Sequence, residues 1–163
     1  MAIAAAHYTA RLQQPAFHNR TWTLLGDGCL QEGVTLAAAS YAGHLKLGHL
    51  NWYYDRNQIQ ISGHTDRAFS DDIAQVFSGF SWHVIEVDGH DHSSLRKAIR
   101  EACEHTTAPS LIVGTSTMAK GAYSLEGSHK THGAPFKNDE RIATKKKLGI
   151  PEEQDFYWPT VAK

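Results

Sequence analysis

The chain has 163 residues, of which 41% are hydrophobic and 20% are charged, a composition typical of a soluble globular protein with a substantial core. A formal net charge of −1 gives no reason to expect nucleic acid or an anionic membrane as a partner. No apolar run approaches the ~20 residues of a membrane span, the alanine-rich start is a poor signal peptide, and Cys29 and Cys103 are the only cysteines, so we expect a cytoplasmic protein.

Helical and strand-like segments alternate along the chain. A helical pattern over Met1–Arg11 comes first. The predicted strands are short and apolar, as expected for strands that are buried on both faces of a parallel sheet: Thr21–Leu25, Leu50–Tyr54, His83–Val87 and Ser110–Gly114. This alternation predicts an α/β fold with a parallel sheet flanked by helices.

Three helical patterns lie between these strands. Apolar residues recur at three- or four-residue spacing over Leu30–Leu45, Ile73–Phe80 and Leu95–Cys103. We predict that Ser70 caps the second of these helices and that Ser93 or Ser94 caps the third.

The character of the chain changes after Gly114. Residues 115–137 are rich in Gly, Ser, Thr, His and Lys and predict a long loop, which we interpret as an active-site loop because long loops in compact domains are usually functional. A last helix is predicted from Asn138, with Lys145–Lys147 in its final turn and Gly149 after its end.

A glycine-flanked carboxylate, Gly26-Asp27-Gly28, follows the first predicted strand, and Asn57 follows the second. The carboxyl ends of parallel strands meet at one edge of the sheet, where such folds bind ligands. Two oxygen ligands there suit Mg²⁺, or alternatively Ca²⁺, with positions left for phosphate oxygens. The glycines would let the backbone approach the same phosphates, so the pattern predicts a metal-bound diphosphate.

Two familiar phosphate-binding motifs do not fit this segment. A dinucleotide-binding fingerprint needs glycine three positions after Gly28, where Gln31 stands. A P-loop ends in Gly-Lys-Ser/Thr, whereas Gly33 is followed by Val34 and Thr35. With no lysine in the segment to meet phosphate, a metal held by Asp27 is the expected counter-charge.

Three separated blocks resemble the transketolase family. They are GDGCLQEG at Gly26–Gly33, AGHLKLG at Ala42–Gly48 and GSHKTHGAP at Gly127–Pro135, and Asn57 completes a thiamine-diphosphate motif. The resemblance covers nearly the whole chain. It implies a thiamine-diphosphate-binding fold and an enzyme that transfers a two-carbon ketol unit between sugar phosphates. It also implies that residues 1–163 are a single, partial diphosphate-binding domain with an incomplete sheet.

The resemblance implies a set of cofactor-binding residues. Asp27, Asn57 and the backbone carbonyl of Ile59 would bind the metal, and Gly26 and Gly28 would offer backbone N–H groups to the diphosphate. The ordinary alternatives are an Asx-turn or helix cap for Asp27, a turn after a strand for Asn57, and a tight turn for the glycines.

Three further residues gain roles from the same resemblance. Ile61 matches a position that packs on the thiazolium ring, and ordinary core is its alternative. His129 matches a catalytic histidine that reaches the diphosphate and the substrate hydroxyls, and a solvated loop histidine is its alternative. Glu32 matches a glutamate of a dimer interface that links protonation between active sites, and its alternative is a dipole partner in a first helical turn.

The remaining expectations concern nearby residues. We expect Cys29 to be a small buried side chain, and Gly48 to close a helix end in a packing role. His132 would hold the loop, since a zinc site formed with His129 has neither a nearby cysteine nor a HExxH-type helix to support it.

The resemblance also implies partners. These are a pyrimidine-binding domain, in the same enzyme or in a partner subunit, and a second subunit of a homodimer. The glutamate that activates the cofactor belongs to that other domain, so we expect little or no activity from this chain alone. The alternatives left open are a non-catalytic thiamine-diphosphate-binding subunit that needs a partner chain, and a dihydroxyacetone-synthase-type thiamine enzyme.

Overall fold

The computed structural model describes residues 1–13 and 19–160. The helices are α1 Ala2–Leu12, α2 Asp27–Leu30, α3 Gly33–His44, α4 Ile73–Gly79, α5 His92–Glu104 and α6 Asn138–Lys147. The strands are β1 Thr21–Gly26, β2 Leu50–Arg56, β3 Ile59–Gln60, β4 Gly63–His64, β5 His83–Asp88 and β6 Ser110–Thr115. No helix among these is long and apolar enough to cross a membrane.

The predicted parallel sheet is present. Its strand order is β1-β2-β6-β5, and every neighbouring pair is parallel. Each of the four predicted strands forms and extends one or two residues beyond its predicted carboxyl end. The fold class, a parallel sheet flanked by helices, is therefore confirmed.

The chain divides into two compact units. The first contains Met1–Gln58 and Thr65–Ser116, and it holds the whole four-stranded sheet. The second contains Ile59–His64 and the chain from Thr117 onward, with the antiparallel β3–β4 hairpin and α6.

One face of the sheet carries the main core of the first unit. Leu25, Trp52 and Val113 from the strands pack in one cluster with buried side chains of α2, α3 and α4. Within this cluster the Trp52 and Trp82 rings lie 4.8 Å apart, and the indole N–H of Trp82 donates to the carbonyl of Ala39 at 2.8 Å. The buried indole N–H is thereby satisfied, as a dry core requires.

The opposite face is covered unevenly. Ile112 of β6 packs there with Ala98 and Ala102 of α5. Leu24 and Trp22 of β1, however, are 79% and 40% exposed. The expectation of burial on both faces is thus wrong for β1, because within residues 19–160 it pairs with β2 alone and lies at the edge of the sheet.

Aspartates cap α4 and α5 in place of the predicted serines. The carboxylate of Asp72 accepts from the backbone N–H of Gln75 at 3.0 Å. Asp91 accepts from the backbone N–H groups of Ser93 and Ser94, which lie inside the first turn of α5. The hydroxyl of Ser94 also donates to Asp91, and this bond has the largest effect on its pKa. Together with the backbone bonds it lowers the pKa of Asp91 to about 2. A carboxylate has more acceptor sites than a hydroxyl, so it can serve two N–H groups at once.

The helix predicted over Leu30–Leu45 is broken in two. Glu32 has an extended backbone and is the N-cap of α3, so a turn separates α2 from α3. Gly48 does not close the helix, since α3 ends at His44 and the left-handed residue is Lys46. A Cβ at Gly48 would lie 1.8 Å from the carbonyl oxygen of Thr106, which gives this glycine the packing role expected of it.

Within the second unit, the segment that follows β6 forms the expected loop, apart from a short 3₁₀ turn at His129–Thr131. The α6 helix begins at Asn138 as predicted, and Gly149 follows it with φ +68°. Glu140 in the first turn accepts from the backbone N–H and the hydroxyl of Ser124, at 2.8 and 2.6 Å. Thr144 accepts from the backbone N–H of Tyr123 at 3.0 Å and Lys147 donates to the carbonyl of Ala122 at 2.7 Å, so three side chains of the helix anchor the loop.

Candidate functional site

Asp27 lies where β1 passes into α2 and is 4% exposed. Its Oδ1 accepts from the hydroxyl of Tyr54 at 2.6 Å, and its Oδ2 accepts from the backbone N–H of Gln58 at 3.0 Å. Gly26, not Asp27, is the N-cap of α2. The carboxylate is therefore oriented by the neighbouring strand and the turn that follows it.

The surroundings of Asp27 disfavour an isolated negative charge. Burial raises the pKa of Asp27, and the nearby charge of Asp55 raises it further, while the bonds from Tyr54 and Gln58 act in the opposite sense. Burial, followed by the bond to Asp27, also raises the pKa of Tyr54, so the phenol remains a protonated donor. Both donors are neutral, and a buried carboxylate with neutral partners is stabilised by a nearby cation.

Strand pairing brings the segment that contains Asn57 to this carboxylate. Gly26 of β1 is opposite Asp55 of β2, and the chain then continues through Asn57 to Gln58, whose N–H reaches Asp27. The side-chain N–H of Asn57 donates to Asp55 at 3.1 Å. The two residues predicted to bind a metal thus belong to one hydrogen-bonded corner of the sheet.

The glycines that flank Asp27 leave open space. Gly26 has an extended backbone and Gly28 lies within α2, so neither conformation requires glycine. A Cβ built at either position meets no atom within 4 Å. The tight-turn explanation therefore does not account for these glycines, whereas close approach of a ligand would.

A cleft of about 410 Å³ opens beside Asp27 and Tyr54. Arg56 lines it and pairs with Glu86 at 2.9 Å. The other acidic side chains along its wall are Asp66, Asp71 and Asp72. A surplus of negative charge therefore surrounds the buried carboxylate.

Sequence reasoning missed Tyr54, Asp55 and Ser116. Tyr54 reads as one more apolar residue of a strand, and only the β1–β2 register shows that its hydroxyl meets Asp27. Asp55 accepts from both Asn57 and the hydroxyl of Ser116, which follows β6. Their position in the sequence could have identified them, because all three residues lie at or beyond the carboxyl ends of neighbouring strands, where ligands of such sheets bind.

Three predicted residues belong to the second unit. Ile59 is buried in β3 and pairs with His64. Ile61 lies in the turn between β3 and β4 and is 75% exposed, so ordinary core is excluded as its explanation in this chain. His129 is exposed at the start of the 3₁₀ turn, which Ser128 caps through its hydroxyl. Their cofactor and catalytic roles remain predictions.

The remaining candidates lie on the surface. Glu32 is exposed and occupies the N-cap position of α3, before its first turn, without a hydrogen bond from its side chain to the helix. Cys29 is exposed, so the expected small buried side chain is wrong, and His132 is exposed as well. Among the residues described, no group of three or more His, Cys, Asp or Glu side chains is placed to hold a metal, which leaves the zinc idea at His129 and His132 without support.

Comparisons with known proteins give one answer. The family described as "Transketolase, thiamine diphosphate binding domain" matches residues 1–162. The chain is 39% identical to transketolase 1 of Escherichia coli and 40% identical to transketolase 1 of Saccharomyces cerevisiae, over 97% and 98% of its length. The crystal structure of the Campylobacter jejuni transketolase covers 99% of the chain, with a TM-score of 0.93 and 35% identity.

The matched relatives are much longer proteins. The chain spans 26% and 24% of the two transketolases above, and 25% of the Campylobacter jejuni chain. The family match over residues 1–162 includes Asp27 and Asn57. The chain therefore belongs to the thiamine diphosphate-binding domain family of the transketolases.

Proposed function

We propose that this chain binds the diphosphate of thiamine diphosphate through a divalent cation held by Asp27 and Asn57. The observation that carries the proposal is the buried Asp27 carboxylate, which has two neutral donors and lies beside the turn that contains Asn57. Mg²⁺ is the preferred cation because it takes carboxylate and amide oxygens together with phosphate oxygens, and Ca²⁺ is the alternative. The backbone carbonyl of Ile59 is proposed as a third ligand by family resemblance.

The residues present fit a cation-bridged diphosphate. The segment Gly26–Gly33 contains no lysine or arginine that would neutralise phosphate directly. Open space beside Gly26 and Gly28 would let backbone N–H groups approach the phosphate oxygens. Asp27 would supply the negative ligand, and the cation would offset the cost of burying that charge.

We further propose that the chain contributes this site to a transketolase. The Pichia stipitis transketolase, 38% identical over the aligned part, has been solved with xylulose 5-phosphate and with sedoheptulose 7-phosphate, which supports sugar phosphates as the substrates. Thiamine diphosphate supplies the carbanion chemistry of ketol transfer when bound. Ile61 would contact the thiazolium ring, and the exposed His129 would bind the diphosphate and the substrate hydroxyls.

The partners proposed are those that the resemblance implies. The rest of the cofactor site would come from a pyrimidine-binding domain, in the same enzyme or in a second chain. A homodimer in the cytoplasm is the proposed assembly, with Glu32 at its interface. The exposure of Glu32 in this chain is compatible with burial by a partner.

The direct test is calorimetric titration of thiamine diphosphate into the chain, first with Mg²⁺ and then with EDTA. We expect binding that depends on Mg²⁺ and that Asp27→Asn weakens at least about tenfold, which corresponds to about 1.4 kcal/mol. This substitution keeps the shape of the side chain and removes its charge.

The matched control is Asp71→Asn, which removes one negative charge from the wall of the same cleft. It should bind as the unsubstituted chain does if Asp27 acts as a ligand and not through the general field. Equal affinity with EDTA and with Mg²⁺ would contradict the cation bridge.

A further inference from the structure

We infer that Asp55, held by Ser116, sets the orientation of the Asn57 amide so that its oxygen faces the cation. This inference rests on the proposed function and adds a positioning residue to it. Asp55 is not adjacent to the predicted ligand Asn57 in the sequence, because Arg56 stands between them. Its hydrogen bond acts on Asn57, while its charge also lies close enough to Asp27 to raise the pKa of that carboxyl, so the double variant, which keeps the total charge, is needed to isolate the orienting effect.

The geometry links three side chains. Oδ2 of Asp55 accepts from Nδ2 of Asn57 at 3.1 Å, and Oδ1 of Asp55 accepts from the hydroxyl of Ser116. Asp55 is fixed in the sheet, where it pairs with Gly26 of β1 on one side and with Gly114 of β6 on the other. Both oxygens of the carboxylate are therefore engaged, and its backbone lies between two strands.

The chemistry of the amide gives this link its consequence. The two ends of an asparagine amide have nearly the same shape but opposite polarity, since one accepts hydrogen bonds and the other donates two. A carboxylate only accepts, so Asp55 selects the orientation in which the nitrogen of Asn57 faces it. The amide oxygen then lies at the other end. If the amide were rotated by half a turn, its NH₂ group would face the cation. An amide nitrogen only donates hydrogen bonds, so it could not bind the cation.

The hydroxyl of Ser116 completes the arrangement. It has one proton, which it donates to Asp55, and this bond limits rotation of the carboxylate about its last torsion. Groups that orient a metal ligand in this way typically change metal affinity by about 10–100-fold when they are removed.

The test is a reciprocal exchange of the two side chains. In Asp55→Asn, an amide meets an amide, and the orientation of Asn57 is no longer selected. In Asn57→Asp, two carboxylates face each other and repel. In the double variant, the amide at position 55 can accept from Ser116 and donate to the carboxylate at position 57, whose other oxygen remains for the cation. The total charge of the double variant equals that of the unsubstituted chain.

The measurement is the affinity for thiamine diphosphate as a function of Mg²⁺ concentration, with thermal unfolding of each variant to check its fold. We expect each single substitution to weaken the Mg²⁺-dependent binding about tenfold or more, and the double variant to recover most of the loss. The control is Asp88→Asn, which removes a carboxylate at the end of β5, along the same edge of the sheet.

Side-chain amide NMR of ¹⁵N-labelled protein adds a readout that needs no cofactor. One amide proton of Asn57 should be shifted and slowed in exchange by its bond to Asp55, and Asp55→Asn should abolish this signature.

The possible outcomes distinguish the positioning role of Asp55 from the proposed cation site. Unchanged Mg²⁺-dependent binding in Asp55→Asn, or a double variant as weak as the single ones, would overturn the positioning role and leave the cation site intact. Absence of Mg²⁺-dependent binding in the unsubstituted chain would overturn the proposed function, and this inference with it.

Discussion

The hydroxyl of Tyr54 is the group on which the Asp27 carboxylate most depends. It is one of two neutral donors to a side chain that is almost fully buried, and it comes from a tyrosine that is itself 2% exposed. Water has little access to replace it. The bond is therefore of the charge-assisted kind, which contributes more than a bond between neutral groups.

Tyr54→Phe should lower the free energy of unfolding by about 1.5–3 kcal/mol, because it removes a hydrogen bond to a buried charge without changing the packing of the ring. Urea unfolding measures this directly. Tyr41→Phe, at a side chain that is 55% exposed, is the matched control and should change stability little. An unchanged free energy in Tyr54→Phe would show that another donor takes the place of the hydroxyl.

At the scale of elements, the Glu140 carboxylate is one of three α6 side chains that bond the long loop of the second unit, and it is the one whose charge depends on pH in the acid range. Glu140 accepts from the hydroxyl and the backbone N–H of Ser124, and these two bonds lower the pKa of Glu140 below its ordinary value of 4.5. An acid with a lowered pKa in the folded state stabilises that state above the unfolded pKa. This contribution is lost as the pH falls through the folded pKa.

We expect Glu140→Gln at neutral pH, and the unsubstituted chain once the pH has fallen below the folded pKa of Glu140, to show the same local change. In both, the carboxylate charge that holds Ser124 and Leu125 is gone. Hydrogen exchange should then be faster at the amides of Ser124 and Leu125. Asp139→Asn, an exposed acid in the same helical turn, serves as the control. Equal protection of these amides in Glu140→Gln would mean that the charge does not hold the loop.

The elements that sequence predicts well are those decided by local pattern. The four main strands follow from short apolar runs, and the pairing of Asp27 with the Asn57 turn follows from the rule that ligands gather at the carboxyl ends of parallel strands. The helix caps at Asp72 and Asp91 were missed because serines nearby fit the same local pattern. Tyr54 was missed for another reason, since its role depends on register between strands.

The first unit as a whole exposes an apolar edge. Leu24 and Val34 are 79% and 75% exposed, and within residues 19–160 β1 offers its outer edge to no other strand. An unpaired edge with apolar side chains favours association with further copies of the chain.

We expect the chain to associate as its concentration rises, and Leu24→Lys to reduce that association, because a charge on an edge strand opposes pairing. Light scattering coupled to size-exclusion chromatography measures the effect. Phe156→Lys makes a similar exchange at an exposed side chain of the second unit and should leave the association unchanged. A monodisperse monomer at high concentration would contradict the expectation.

Asp27 directly follows this edge strand, so the proposed cation site would couple retention of the cofactor to the stability of the sheet. β1 is joined to the sheet by the ladder to β2, and Asn57 follows β2. A cation shared by Asp27 and Asn57 would fasten the ends of these two strands together, so β1 could detach only after the cofactor leaves. At a hundred times its dissociation constant, a ligand adds about 2.7 kcal/mol to the folded state. Release of the cofactor and separation of β1 from the sheet would thus be coupled. A protein depleted of cofactor would then begin to unfold at this corner.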